Sequence, residues 1–190
     1  MPIVRGQSIR VLFDAEAISH RNDELAQEIA AAGYVDLLVV SVLKGSFVFA
    51  ADLIRALHEA ELSPEVEFLS VSSYRAGTVS TGEITVLRDV ESDVVGRDVL
   101  IIDDILESGR TVDFAKKLML GRGARRVGVV VLLDKPGKRA QPIEADHVGF
   151  VCPDLFVVGY GMDRGHAFRG LPFVGVIEDG SQNWSSKRSR

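Results

Sequence analysis

The sequence predicts an α/β protein built on an open, mainly parallel sheet flanked by helices, and three observations lead there. Short, predominantly apolar, β-branched runs recur at residues 37–42, 66–71, 99–102, 127–133, 156–158 and 173–177. They are too short for surface helices and suit strands buried on both faces. Amphipathic stretches with helix start and stop signals lie between them, and strand–helix–strand alternation implies a parallel sheet covered on both faces. With 190 residues, 46% apolar and 26% charged, the chain is large enough to bury a core without disulfide or metal staples.

The elements follow in chain order. A helix is predicted over 14–32, with Asp14 as its N-cap and Gly33 as its stop. The Leu-Leu-Val-Val-Ser-Val run at 37–42 is the first buried strand. A second helix is predicted over 47–60, because Phe49, Leu53 and Leu57 recur at four-residue spacing on one face. After the strands at 66–71 and 99–102, a third helix begins near Thr111 and ends in Gly121-Arg122-Gly123. Composition is even as far as residue 179, without repeats or long linkers. One domain is therefore expected over 1–180, followed by a polar, basic tail at 181–190 that is expected to be disordered. Ligands of such sheets sit beyond the carboxyl ends of the strands, which directs attention to the loops after Val42, Ile102, Leu133 and Val158.

Charge and cysteine content exclude several classes of function. The formal net charge is −5, and residues 1–180 hold 19 Lys and Arg against 27 Asp and Glu, a charge of −8. No basic face for neutralising phosphates is expected, so nucleic acid is not an expected partner. No apolar run approaches ~18 residues, and Met1-Pro2-Ile3-Val4-Arg5 leads into no apolar segment. No membrane association is expected. The lone Cys152 fits a reducing compartment, and the expected location is cytoplasmic.

The most informative stretch is Val99-Leu100-Ile101-Ile102-Asp103-Asp104-Ile105-Leu106-Glu107-Ser108-Gly109-Arg110-Thr111. A buried strand delivers two acids, and a third acid opens a Ser-Gly-Arg-Thr turn into a helix. Gly109 permits close backbone approach, while Ser108, Thr111 and the free N–H groups of a helix start make a cradle for a phosphate monoester. Three carboxylates beside an anion site would repel the ligand unless they address something else. A ribose 5-phosphate resolves that conflict, because its phosphate takes the cradle and its diol takes the acids. Taken alone, Asp103 and Asp104 also read as ordinary strand-end acids, and it is the whole run that favours a site.

That run resembles the phosphoribosyl pyrophosphate (PRPP) signature of the type I phosphoribosyltransferases. Four motif loops in order, from about Val11 to Asp179, narrow the resemblance to the hypoxanthine(-guanine) phosphoribosyltransferases. The resemblance implies a small hood formed by the terminal segments. It also implies purine salvage: transfer of the 5-phosphoribosyl group from PRPP to N9 of hypoxanthine or guanine, giving IMP or GMP and pyrophosphate. PRPP and 6-oxopurine bases are then the small-molecule partners, Mg²⁺ the cofactor, and a homodimer or homotetramer the assembly.

Residue by residue, the resemblance assigns the ribose hydroxyls to Asp103 and Asp104, directly or through Mg²⁺, and the 5-phosphate to Ser108, Gly109, Arg110 and Thr111. Glu107 matches the acid placed near purine N7, the catalytic proton acceptor or donor. Most relatives have Asp at this position, and many have Glu where this chain has Asp103. Leu43, Lys44 and Gly45 match a pyrophosphate loop that often contains a non-proline cis peptide, and Arg169 matches a second pyrophosphate contact. Ser73 and Tyr74 match a flap over the site; by composition alone residues 72–82 are a surface loop. Lys135 matches the donor to the purine 6-oxo group, against the plainer reading of a surface lysine paired with Asp134. Phe156 matches the residue stacked on the base, against that of a core aromatic. The Val157 backbone matches the group that reads the base edge, and Asp163 a residue at the purine that also touches the metal.

Other signals point nowhere. Gly159-Tyr160-Gly161 lacks the third glycine and the βαβ context of a dinucleotide fingerprint. His20, His58, His147 and His166 show no ligand spacing, and with Cys152 they read as structural or surface residues. Two rival functions, a PRPP-sensing regulator and a phosphoacceptor domain, lack respectively a nucleic-acid-binding segment and a reason for the phosphate cradle.

Overall fold

The computed structural model describes residues 1–73 and 84–178. A six-stranded sheet forms the body, in the order β5-β4-β3-β6-β7-β8. Its strands are β3 (Leu37–Leu43), β4 (Glu65–Ser73), β5 (Ile84–Arg88), β6 (Asp98–Leu106), β7 (Arg126–Asp134) and β8 (His147–Val151). All neighbours are parallel except β4 and β5. The second sheet is antiparallel, in the order β1-β2-β10-β9, from β1 (Ile3–Val4), β2 (Gln7–Phe13), β9 (Val157–Val158) and β10 (Val174–Glu178). It draws on both ends of the described chain and is the hood that the resemblance implies.

Three helices cover the body as the sequence predicts. Helix α1 (Ala15–Ala31) is capped by Asp14, whose Oδ1 accepts from the Ala17 N–H at 2.8 Å, and the chain leaves it through Gly33 at φ +65°. Helix α2 (Phe47–Glu59) buries Phe49, Leu53 and Leu57 completely. Helix α3 (Arg110–Gly121) buries Val112, Ala115 and Met119. Among the described residues no helix is long and apolar enough to cross a membrane.

Strand alternation explains why the apolar runs are continuous. On one face Val39, Leu100, Ile102, Val130 and Leu132 pack against α1 and α2. On the other, Leu38, Val40, Val99, Ile101, Val129 and Val131 pack against α3. Successive side chains point to opposite faces, so a sheet covered on both sides has no polar alternation to show.

Two apolar runs belong elsewhere than predicted. Residues 156–158 and 173–177 feed the hood, where β9 and β10 pair antiparallel, rather than the parallel sheet. Periodicity cannot distinguish a short buried strand in one sheet from one in another. The strands β2, β5 and β8 escape the sequence reading because each is only partly buried and mixes polar residues or glycine with its apolar ones. Strand β6 extends past Ile102 and keeps pairing with β7 through Leu106, so Asp103 and Asp104 lie within the strand and the loop begins at Glu107.

Val157, Met162 and Val174 of the hood pack into the body's core, and two specific contacts add to that. Phe13 of β2 stacks on Phe150 of β8 at 4.3 Å between ring centroids. The Tyr160 hydroxyl donates to Asp52 Oδ2 at 2.6 Å and accepts from Asn22 Nδ2 at 2.8 Å, joining the segment after β9 to both α1 and α2. Burial and the Asp52 carboxylate push the Tyr160 phenol above its ordinary range, so it remains the donor.

Candidate active site

The carboxyl ends of β3, β4, β6 and β7 open onto a cleft of about 910 Å³ that the segment between β9 and β10 completes. Lys44, Gly45, Asp104, Glu107, Lys135, Phe156, Val157, Asp163 and Arg169 all line it, as does Leu43. Residues separated by up to 126 positions in the chain, Leu43 to Arg169, thus share one cavity. The floor is made where two loops and the end of β6 come into close contact.

Glycines make that contact possible. A Cβ at Gly45 would overlap the Asp104 carboxylate, and one at Gly161 would overlap the Gly45 carbonyl oxygen. Gly161 also has φ +98°, a conformation that favours glycine. The Gly-Tyr-Gly run therefore has a packing role, which its resemblance to a nucleotide fingerprint conceals. The Leu43–Lys44 peptide is cis, as the resemblance implies, and Lys44 is exposed at the cleft.

Asp103 is buried, with 6% exposure, and Asp104 is half-buried where it lines the cleft. Asp103 Oδ1 accepts from the Asp104 N–H and Asp104 Oδ1 from the Ile105 N–H, each at 2.9 Å. Burial drives both carboxyls above the usual carboxylate range, Asp103 furthest, and the adjacent Asp104 adds to its shift. Such a pair favours protons or a hard cation to offset its charge. Asp163 has a different partner: its Oδ1 lies 2.7 Å from Arg169 Nη2, and its Oδ2 accepts from the His166 N–H at 2.7 Å. Arg169 Nη1 donates to the Gly161 carbonyl at 2.6 Å. Among the described residues no three His, Cys, Asp or Glu side chains gather at metal-binding distance, so Asp163 does not join the aspartate pair in one cluster.

Lys135 is 5% exposed, and its ammonium donates to the Leu155 carbonyl at 2.7 Å and stands 3.8 Å from Glu107 Oε1. It does not pair with Asp134, whose carboxylate holds Arg139 instead. Phe156 is 63% exposed at the cleft and not a core residue. A buried cation, a carboxylate and an open aromatic face converge on one space.

The Ser108–Thr111 turn lies outside that lining. Gly109 sits at φ +79° against Ile143, whose Cγ2 would be 2.6 Å from a Cβ there, and α3 starts with no side-chain cap. The Ser108 hydroxyl is 3.4 Å from the Arg110 N–H, a long contact that leaves the first N–H groups of α3 available to an anion. Asp103 also lies outside the lining, and Ser73 ends β4. Tyr74 and the 181–190 tail fall outside the described residues. The sequence reading does not find the Leu155 carbonyl, the Ser70–Ser72 wall from β4, or the Lys138–Asp154 pair at 2.7 Å. Backbone atoms and exposed pairs leave no residue-type signal. His166, a structural or surface residue by its sequence, is 90% exposed on its side chain and borders the cleft.

Residues 9–164 match the phosphoribosyl transferase domain family. The chain belongs to that family. It is 43% identical over 171 residues to the hypoxanthine-guanine phosphoribosyltransferase of Bacillus subtilis, covering 89% of this chain and 93% of that protein. The bifunctional protein TilS/HprT of Listeria innocua is 44% identical over 170 residues; the match takes in 89% of this chain but 26% of that longer protein. A crystal structure of a hypoxanthine phosphoribosyltransferase from Staphylococcus aureus superposes with a TM-score of 0.83 at 40% identity, covering 89% of this chain and 91% of that one. The family match contains every residue discussed at the cleft except His166 and Arg169, which follow it and enter through the hood.

Proposed function

We infer that this chain is a hypoxanthine(-guanine) phosphoribosyltransferase of purine salvage. It moves the 5-phosphoribosyl group of PRPP to N9 of hypoxanthine or guanine. The C1′–N9 bond forms as the C1′–oxygen bond to pyrophosphate breaks, and the base gives up one proton. The observation that carries this reading is the buried Lys135 beside Glu107 and the exposed Phe156 in a cleft floored by Asp104, Lys44 and Gly45. An ammonium is a donor only, so it suits the 6-oxo group and disfavours an exocyclic amine that presents its own N–H groups.

The remaining roles follow from charge and position. Phe156 stacks on the purine and the Val157 backbone meets its edge. Glu107 takes the proton at N7. Asp103 and Asp104 accept from the ribose hydroxyls, and the start of α3, with Ser108, Gly109, Arg110 and Thr111, holds the 5-phosphate. Leu43, Lys44, Gly45 and Arg169 surround the pyrophosphate, and Ser73 and Tyr74 belong to a flap that keeps water from the reacting C1′. Mg²⁺ fits the donor set, since two adjacent carboxylates of raised pKa, Asp103 buried and Asp104 half-buried at the cleft, are relieved by a hard cation. Asp103 and Asp104 would hold it, while Asp163 stays with Arg169 apart from the pair, and when bound the ion would supply positive charge to the leaving pyrophosphate. Catalysis is then mainly positioning and electrostatics.

The test mixes the protein with PRPP, Mg²⁺ and one of hypoxanthine, guanine, xanthine or adenine, and follows nucleotide formation. Turnover with 6-oxopurines and none with adenine is the expected result. No turnover with any purine overturns the reading.

A further inference from the structure

We propose that Arg139 is a positioning residue: it fixes the turn that carries Glu107 and Ser108, and so couples the base-recognition loop to the phosphoribose loop. The inference rests on the transferase reading above. Arg139 lies four residues beyond Lys135, just after a 3-10 turn at Pro136–Lys138. Its Nη1 donates to the Leu106 carbonyl at 2.9 Å and to the Glu107 carbonyl at 3.0 Å, and its Nη2 pairs with Asp134. The segment's backbone continues the grip, for the Ala140 and Gln141 N–H groups donate to the Ser108 carbonyl at 2.9 and 3.1 Å. The Lys135 N–H donates to Leu106 O at 2.9 Å. Carbonyls of three successive residues, 106 to 108, are thus all held from segment 135–141.

The geometry says why an arginine is there. Strand β6 ends at Leu106, so the carbonyls of Glu107 and Ser108 leave the ladder without strand partners. A planar guanidinium can satisfy two neighbouring carbonyls with one nitrogen and a carboxylate with the other, which the point charge of a lysine cannot. The side chain is 19% exposed and that of Asp134 21%, so the fork is largely withdrawn from water. Its stem packs on the left-handed Gly109, with Cδ 3.3 Å from where a Cβ would stand. Arg139 is absent from the cleft lining, and its influence runs through the backbone that aims the Glu107 carboxylate and the Ser108 hydroxyl. Displacements of about 1 Å at such groups cost about 10²-fold in rate.

The test compares wild type with Arg139→Ala, Arg139→Lys and Asp134→Asn, measuring kcat and KM for PRPP and hypoxanthine, melting temperature, and ribose 5-phosphate affinity by calorimetry. In Arg139→Ala, kcat/KM for PRPP falls about 10- to 100-fold. Ribose 5-phosphate binds more weakly in parallel, and added methylguanidinium restores part of the loss without affecting wild type. Arg139→Lys and Asp134→Asn fall between, and they decide the matter if the alanine variant does not fold. Wild-type kcat/KM and ribose 5-phosphate affinity in the variants overturn the proposal. So does a loss that tracks only melting temperature and that methylguanidinium leaves untouched. If wild type itself shows no turnover, the transferase reading fails, and the ribose 5-phosphate series still decides whether Arg139 shapes the phosphate loop.

Discussion

The Glu107 carboxylate stands 3.8 Å from the Lys135 ammonium, an acid of middling exposure beside a cation that is nearly sealed from water. Lys135 is held by the Leu155 carbonyl at 2.7 Å, so its charge is partly satisfied before any base arrives. A fixed donor next to an acceptor is the pattern that a 6-oxopurine edge complements: O6 accepts, and a protonated N7 beside it donates. The pair therefore orients the base and handles its proton with adjacent groups.

Replacing Glu107 with Gln keeps the size of the side chain and removes its capacity to take a proton. Turnover with hypoxanthine falls by up to about 10²-fold, while KM for PRPP changes little, because the phosphoribose contacts come from other residues. Steady-state rates with both substrates varied separate the two effects. An unchanged kcat removes Glu107 from the proton transfer.

Lys135→Met deletes the donor but retains much of the length and packing. A hydrogen bond to a charged group is worth about 1.5–3 kcal/mol, so KM for hypoxanthine rises about 10- to 100-fold and KM for PRPP stays put. Initial rates at saturating PRPP measure it. A base affinity equal to wild type would mean that Lys135 serves only to hold Leu155.

The aspartate pair gives a pH dependence with a definite sign. Burial raises both carboxyl pKa values in the folded state, so between the ordinary carboxylate range and the raised values the folded protein binds more protons than the unfolded chain. Stability without divalent cation therefore falls as pH rises through that window. Asp103→Asn flattens the fall and raises the melting temperature at neutral pH, by about 2–4 °C for each kcal/mol recovered in a protein of this size. Mg²⁺ stabilises wild type more at neutral pH than near pH 4, where protons already occupy the pair. Melting curves across pH with and without Mg²⁺ decide it, and a stability that climbs with pH in the metal-free protein contradicts the assignment.

The legible parts of this protein are those where chemistry is written in residue type. Asp14 before an amphipathic run and Gly33 after it mark α1 to within a residue. The run from Val99 to Thr111 shows a strand, acids and a helix start in one line. Hidden from the sequence is whatever depends on partners far along the chain. Phe156 reads equally as core or as platform, and only the hood's placement of β9 shows that its ring is exposed. Lys135 beside Asp134 invites an ion pair, yet its ammonium goes to the Leu155 carbonyl and Asp134 is taken by Arg139. Strand β2 has no continuous apolar run, for only Ile9 of its residues is fully buried and Gln7, Ser8 and Arg10 interrupt the apolar ones.

Gly161 gives the sharpest test of how the hood serves the cleft. Its α-hydrogen faces the Gly45 carbonyl, its N–H donates to the Arg169 carbonyl at 2.9 Å, and its own carbonyl accepts from Arg169 Nη1 at 2.6 Å. The residue thus sets the spacing between the Lys44 loop and Arg169, the two cationic sides assigned to pyrophosphate. In Gly161→Ala the methyl group overlaps backbone, which cannot rotate away as a side chain would, and φ +98° adds about 1–3 kcal/mol of strain. The loops must separate. Affinity for PRPP and inhibition by pyrophosphate both weaken by about 10-fold or more, whereas KM for hypoxanthine changes far less because Lys135 and Phe156 lie on other segments. Product inhibition by pyrophosphate, measured beside both KM values, reads the difference. If PRPP and hypoxanthine affinities decline together, Gly161 supports the fold at large and not the pyrophosphate side of the cleft.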